Sequence, residues 1–281
     1  MSEMKVESKA EMKSTDKPAV IVEKEGHILI VTLNRPEKRN CVNSEVMCRL
    51  YDAWVELDRD PELRVAILTG NGNTFCAGMD LSEIPKLRTG KPENEWMARV
   101  MKDTDITLGC WLKTYRPTKP VILAAEGFAR AGGTEILQGT DIRVAGESAM
   151  FGVTEVQRGL FPMAGSAVRL RRQIPYAIAA EMLLAGEDLP ARRALELGLV
   201  NHVVPDGQAL AKAKQIANRI ANNGPLAVAG ILATLRATET LPEEEAFKIE
   251  MQHGMKVMMS KDAVEGPRAF MEKRPPVFTG E

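Results

Sequence analysis

Residues 126–160 read EGFARAGGTEILQGTDIRVAGESAMFGVTEVQRGL, and this stretch decides the fold. The apolar run PVILAAEG (120–127) reads as a buried strand that ends in a turn. Ala131, Gly132 and Gly133 then lead into an apolar helix with Glu135 in its first turn. The unpaired amides at such a helix start carry partial positive charge and suit an anion or a developing oxyanion. Residues without bulk let a ligand carbonyl reach them. DIRVAGESAMFG (141–152) holds two short strands, and beyond them Glu155 lies in an irregular, apolar neighbourhood. Burial there raises a carboxyl pKa and keeps the group protonated, as a general acid requires. The plainer readings are a first-turn stabiliser worth roughly 0.3–1 kcal/mol for Glu135 and a loop acid paired with Arg158 for Glu155. Whether the two carboxyls meet depends on the fold.

Working outward, HILIVTLNRP (27–36) and LRVAILTGNG (63–72) are strands that run into turns, and NHVVP (201–205) is a last strand. NSEVMCRLYDAWVELDRD (43–60) is a helix, because Met47, Leu50, Tyr51, Trp54 and Leu57 recur at helical spacing behind an Asn43 or Ser44 cap. AGSAVRLRRQIP, AIAAEMLLAGEDL and PARRALELGLV also read as helical, the last stopped by Gly198. After Gln208 the pattern is all helical, with breaks at Asn223-Gly224-Pro225 and Leu241-Pro242. Strand–helix alternation followed by a helical segment predicts an α/β body with crossover connections and an appended helical part. Residues 1–17 read as a solvated, disordered tail, 18–207 as the body and 208–281 as the appended helices.

Composition narrows the function. The chain has 281 residues, of which 44% are hydrophobic and 27% charged, as in ordinary globular proteins. A net charge of −1 and no basic–aromatic stripe argue against nucleic acid as a partner. No apolar run is long enough for a membrane helix, and the first residues lack a signal-peptide core. Four cysteines without C-x-x-C pairing fit buried apolar roles in a reducing, cytoplasmic setting. Three scattered histidines offer no metal-ligand spacing. GNGNTF (70–75) has Phe75 where a dinucleotide fingerprint needs its third glycine. MAGSAVR has Val168 where a nucleophile elbow around Ser166 needs glycine, so neither motif is adopted.

Taken in order, LNRPEKRN, RVAILTGNGNTFCAGMDL, KPVILAAEGFARAGGTEILQGTDIRVAGESAMFGVTEVQRGLFP, AGSAVRLRRQIP, AEMLLAGEDL, ARRALELGLVNHVV and EGPRAFMEKRPPVF resemble the crotonase superfamily, and within it the enoyl-CoA hydratases. The central run also looks like hydratases assigned to steroid side-chain breakdown in actinobacteria. The resemblance implies a spiral of stacked ββα turns and a C-terminal helical segment that packs subunits into trimers, often paired as hexamers. It implies that Glu135 and Glu155 face one acyl-CoA as base and acid, with the Met79 and Gly132 amides as an oxyanion hole. Donors of that kind are worth about 3–4 kcal/mol each. Coenzyme A would be part of the substrate, near Lys38, Arg39, Ala77, Asp80 and Leu81, with Lys273 and Phe278 reaching it from the C-terminal segment. Neither a metal nor a redox cofactor is implied. Ala131 departs from the glycine, and Thr134 from the cysteine, that many hydratases carry there. Trp96, Met97, Met101, Leu108 and Trp111, within residues 85–117, would line an acyl pocket or simply be core. Double-bond isomerisation is the rival reading within the family, and a non-catalytic RNA-binding relative is the rival outside it.

Overall fold

Among the described residues ten strands divide between two sheets, and the chain passes from one to the other in successive turns. The computed structural model describes residues 17–281, so nearly all of the expected 1–17 tail lies outside the described residues. The strands are β1 Val20–Glu25, β2 Ile28–Leu33, β3 Val65–Gly70, β4 Thr74–Cys76, β5 Val121–Ala125, β6 Phe128–Arg130, β7 Ile142–Gly146, β8 Met150–Gly152, β9 Asp188–Pro190 and β10 His202–Val204. The helices are α1 Ser44–Arg59, α2 Glu83–Arg88, α3 Glu95–Lys102, α4 Thr104–Gly109, α5 Gly132–Leu137, α6 Ser166–Gln173, α7 Tyr176–Leu184, α8 Ala191–Glu196, α9 Ala209–Ala221, α10 Pro225–Ala237, α11 Glu243–Met258 and α12 Lys261–Met271.

The first sheet runs β1-β2-β3-β5-β7-β10 and the second β4-β6-β8-β9. Only the β1–β2 and β8–β9 pairs are antiparallel. The pairs β3/β4, β5/β6 and β7/β8 each place one strand in each sheet before helices intervene. This is the stacked ββα spiral, and the fold is α/β as expected.

Burial on both faces explains why β2, β3 and β5 read as nearly unbroken apolar runs. Leu29, Val31, Ala66, Leu68, Leu123 and Ala125 face the main core with Trp54 and Leu57 of α1 and Phe75 and Phe151 of the second sheet. Ile28, Ile30, Val65, Ile67, Ile122, Ala124 and Val144 face the other way, onto Ala209, Ala213, Ile216 and Ala217 of α9. Those alanines let the α9 backbone lie close to the sheet. Helix α9 therefore packs directly on the first sheet, on the side away from the main core. The cap of α1 is Asn43, whose side chain accepts from the Val46 amide at 3.0 Å.

Helices α10 to α12 carry the rest of the chain. Arg64, at the start of β3, donates to the Ala221 and Phe278 carbonyls, both at 2.8 Å, and ties the last residues to the body. Asp262 accepts from the Thr279 and Gly280 amides. Among the described residues no helix is long and apolar enough to cross a membrane.

Candidate active site

The turn between β6 and α5 is built for close approach. Ala131 holds φ 50° and ψ −123°, a conformation that suits glycine and is strained for any other residue. A Cβ on Gly132 would lie 2.6 Å from the Trp111 ring, and one on Gly133 only 2.3 Å from the Cys76 carbonyl oxygen. Glycine at both positions lets α5 begin against β4. Thr134 fastens the turn, its hydroxyl donating to the Ala129 carbonyl and accepting from the Gly152 amide. A threonine hydroxyl thus has a structural task at this position.

Opposite this turn, residues 77–80 pair like a short strand with residues 39–42. Ala77 donates to the Arg39 carbonyl, Val42 to Gly78 and Asp80 to Val42, at 2.8–3.0 Å. This pattern uses the amides on either side of Met79 and leaves the Met79 amide without an acceptor among the described residues. Gly132, as the first residue of α5, likewise donates to nothing there. Gly78, at φ 92°, brings the two segments together, since a Cβ on it would sit 3.1 Å from the Gly132 nitrogen. Two free amides from adjoining segments are a ready cradle for one oxyanion.

The fold brings Glu135 and Glu155 together beside them. Glu135 is buried in the first turn of α5, and its Oε1 accepts from the Ser166 amide at 3.1 Å. Burial pushes its pKa up, while donors on residues 164–166 pull against that rise. Glu155 follows β8 on a short 3-10 turn, Glu155–Arg158. Burial first, and then the charge of Glu135, push its carboxyl up to about 7. Its buried Oε2 has no hydrogen-bond partner. Arg158 turns to Gln157 instead, so the surface ion pair is not formed. A carboxyl held with donors beside one starved of them gives a base and an acid in one place.

The remaining expected residues divide into two groups. Lys38 and Arg39 are exposed on the turn after β2, Ala77 and Asp80 are half-buried on the facing segment, and Leu81 is exposed beside them. Asp80 is salt-bridged to Arg35 at 3.1 Å and bonded to Ser82; against the upward push of burial, these partners hold it below the usual carboxylate range. Phe278 lies elsewhere, near Gly224 and Gly266 with its carbonyl on Arg64, and Lys273 is exposed just past α12. The six residues of β2 separate the Arg64 end of the sheet from the Lys38 turn, roughly 20 Å at the rise of a strand.

The sequence did not show the role of Asn40, the contact of Trp111 with Gly132, or the partners of Glu135. Asn40 is buried and left-handed, taking the Arg35 amide and donating to the Asn71 and Thr74 carbonyls, and so sets the Lys38–Arg39 turn. An asparagine between a strand exit and a helix cap was the available signal. Of the expected pocket residues, Met97 and Trp111 are buried in the core, and Trp96, Met101 and Leu108 are half-buried. Ser166 is fully buried, with no histidine among its recorded partners. Burial pushes the Cys76 thiol up to about 12 and Cys48 up to about 11, as inert thiols require.

Paired carboxyls beside two free amides, on a ββα spiral, define an enzyme that acts on a group developing oxyanion character. The family model for enoyl-CoA hydratase/isomerase matches residues 23–281, and the chain belongs to that family. It is 55% identical over 264 residues to enoyl-CoA hydratase EchA19 of Mycobacterium tuberculosis, covering 93% of this chain and 96% of that one. It is 40% identical over 252 residues to mevalonyl-coenzyme A hydratase sidH of Aspergillus fumigatus, covering 89% and 90%. The crystal structure of enoyl-CoA hydratase EchA1 from Mycobacterium marinum superposes with a TM-score of 0.85 at 42% identity, over 94% of this chain and all of that one.

Proposed function

We propose that the chain hydrates 2-enoyl-CoA thioesters reversibly to 3-hydroxyacyl-CoA, with Glu135 as base and Glu155 as acid. The observation that carries this reading is the meeting of the two carboxyls beside the free Met79 and Gly132 amides. In the forward direction Glu135 takes a proton from water as its oxygen bonds to C3. The C2–C3 π electrons move toward the thioester, and charge builds on its carbonyl oxygen, where the two amides donate. C2 then takes a proton from Glu155, so water is added across the double bond and nothing is oxidised or reduced. Neither a metal nor a redox group enters the scheme, and coenzyme A enters as part of the substrate. The Lys38–Arg39 turn and the Asp80–Leu81 segment are proposed to hold its head. The acyl group is proposed to be bulky and apolar, as in a steroid side-chain thioester. Trimers, alone or paired as hexamers, are the proposed assembly, formed through α10–α12.

The test is loss of enoyl-thioester absorbance with purified protein, comparing crotonyl-CoA with a steroid thioester unsaturated in its side chain. Faster turnover of the steroid thioester supports the bulky-substrate reading, and faster turnover of crotonyl-CoA overturns it while leaving hydration standing. If a shifted double bond accumulates instead of 3-hydroxyacyl-CoA, the isomerase reading replaces hydration.

A further inference from the structure

Glu135 faces two other charged side chains, Glu155 on the turn after β8 and Arg169 on α6. Its hydrogen-bond donors come from the start of α6, where Ser166 donates its amide to the carboxyl at 3.1 Å and holds its hydroxyl beside it. That hydroxyl is itself constrained. Gln138, at the end of α5, donates from Nε2 to Ser166 Oγ at 2.7 Å and to the Thr134 carbonyl at 3.2 Å. Both amide hydrogens are thereby used. The Thr134 carbonyl can only accept, so turning the amide over would set two oxygens against each other. With Ser166 Oγ already an acceptor, its single hydrogen is left for the Glu135 carboxylate.

The arrangement continues behind Gln138. Its backbone carbonyl accepts from Gln173 Nε2 at 2.9 Å and lies 3.4 Å from Arg143 Nη2, while Arg143 Nη1 donates to Gln173 Oε1 at 2.9 Å. A buried cation and Gln173 thus anchor the backbone of the residue whose side-chain amide holds the serine. Gln138 Oε1 remains buried with no partner. An apolar side chain would fill this space without that cost, so the residue fits better as an orienting group than as filling.

We propose that Ser166 and Gln138 are positioning residues for hydration: Gln138 turns the Ser166 hydroxyl so that its hydrogen is committed to Glu135, fixing that carboxylate as the ionised acceptor of the water proton. The serine that fails as a nucleophile in the sequence thereby gains a role. Complete burial keeps it from substrate, and its hydrogen serves another residue's chemistry. The proposal rests on Glu135 being the base.

The experiment measures kcat and KM against pH for Ser166→Ala, Gln138→Leu and Glu135→Gln. Losing the hydroxyl removes a donor that favours the ionised form, so Glu135 protonates at higher pH. Ser166→Ala is expected to move the acidic limb of the kcat profile up by about half to one pH unit. Its plateau kcat should fall roughly three- to tenfold, with KM for the enoyl thioester changed less than twofold. Gln138→Leu, which frees the hydroxyl to rotate, should move the limb the same way by less, and it decides the question if Ser166→Ala does not fold. A lower plateau or melting temperature without movement of the acidic limb would mean a purely structural role and overturn the proposal. Near-normal activity in Glu135→Gln would instead overturn the assignment of the base, so the two failures are distinguishable. Adding Ser166→Ala to Glu135→Gln should change neither the residual rate nor its pH dependence, and an additive loss would also overturn it.

Discussion

Two residues of one type are set to different tasks by their surroundings. Glu135 is held by donors at the start of α6, whereas Glu155 is pushed up to about 7 by burial and by its neighbour. Interacting carboxyls titrate as a pair, so kcat/KM should rise through a lower apparent pKa and fall through a higher one near 7. Glu135→Gln and Glu155→Gln should each lower hydration by about a hundredfold or more, read as loss of enoyl absorbance. Stability should move the other way for Glu155. Its folded pKa lies above the unfolded value of about 4.3, so the proton it retains stabilises the fold fully below that value. The contribution is lost as pH rises through about 7. Melting curves should therefore show Glu155→Gln more stable than the natural chain at pH 8 and little different at pH 4; equal curves at pH 8 would contradict the burial of this charge. The sequence made both residues legible as candidates, because chemistry is local to a side chain. It could not show that they meet, since their separation is set by strand pairing between β6 and β8.

At the scale of the element, the turn between β6 and α5 depends on what cannot be added to it. Alanine at Gly133 would press its Cβ to within 2.3 Å of a backbone oxygen, which no rotamer change relieves. Gly133→Ala should unfold the protein or lower its melting temperature by several degrees. Ala131→Gly should have the opposite sign: it removes strain at φ 50°, so activity should persist and the melting temperature should hold or rise. A fall in melting temperature there would mean that the turn is not strained. Long elements were legible. α1 and the strands β2, β3 and β5 carry enough apolar residues to declare themselves, whereas β1, largely charged and exposed, was not read. The three-residue strands β6 and β9 were not. β9 falls inside a stretch whose composition extends α7, but Gly186 at φ 72° turns the chain out of the helix, and Asp188–Pro190 finds its partner in β8. Strands this short are made by their neighbours, so only the assembled sheet reveals them.

At the scale of the whole molecule, the C-terminal segment lies at the opposite end of the first sheet from the Lys38 turn. Phe278 is fastened at the Arg64 end of the first sheet, a strand's length from the Lys38 turn, so a contact between Phe278 or Lys273 and a coenzyme A head bound there is expected from a neighbouring copy. Helix α11 presents Phe247, Met251, Met255 and Met258 at successive turns, all at least half exposed. An apolar stripe of that kind is a surface awaiting a partner. If α10–α12 form the trimer, light scattering should give three chains of 30.9 kDa or six, and Met251→Glu with Met258→Glu should give one. The double variant separates assembly from chemistry. All groups proposed to move protons sit in the body, so a folded monomer should keep a measurable kcat while KM for the thioester rises by about tenfold or more, as expected for lost uniform binding. Such a monomer with unchanged KM would place the whole coenzyme A site within one chain and remove Lys273 and Phe278 from it. A natural chain that is monomeric from the start would leave the methionine stripe without the partner assigned to it.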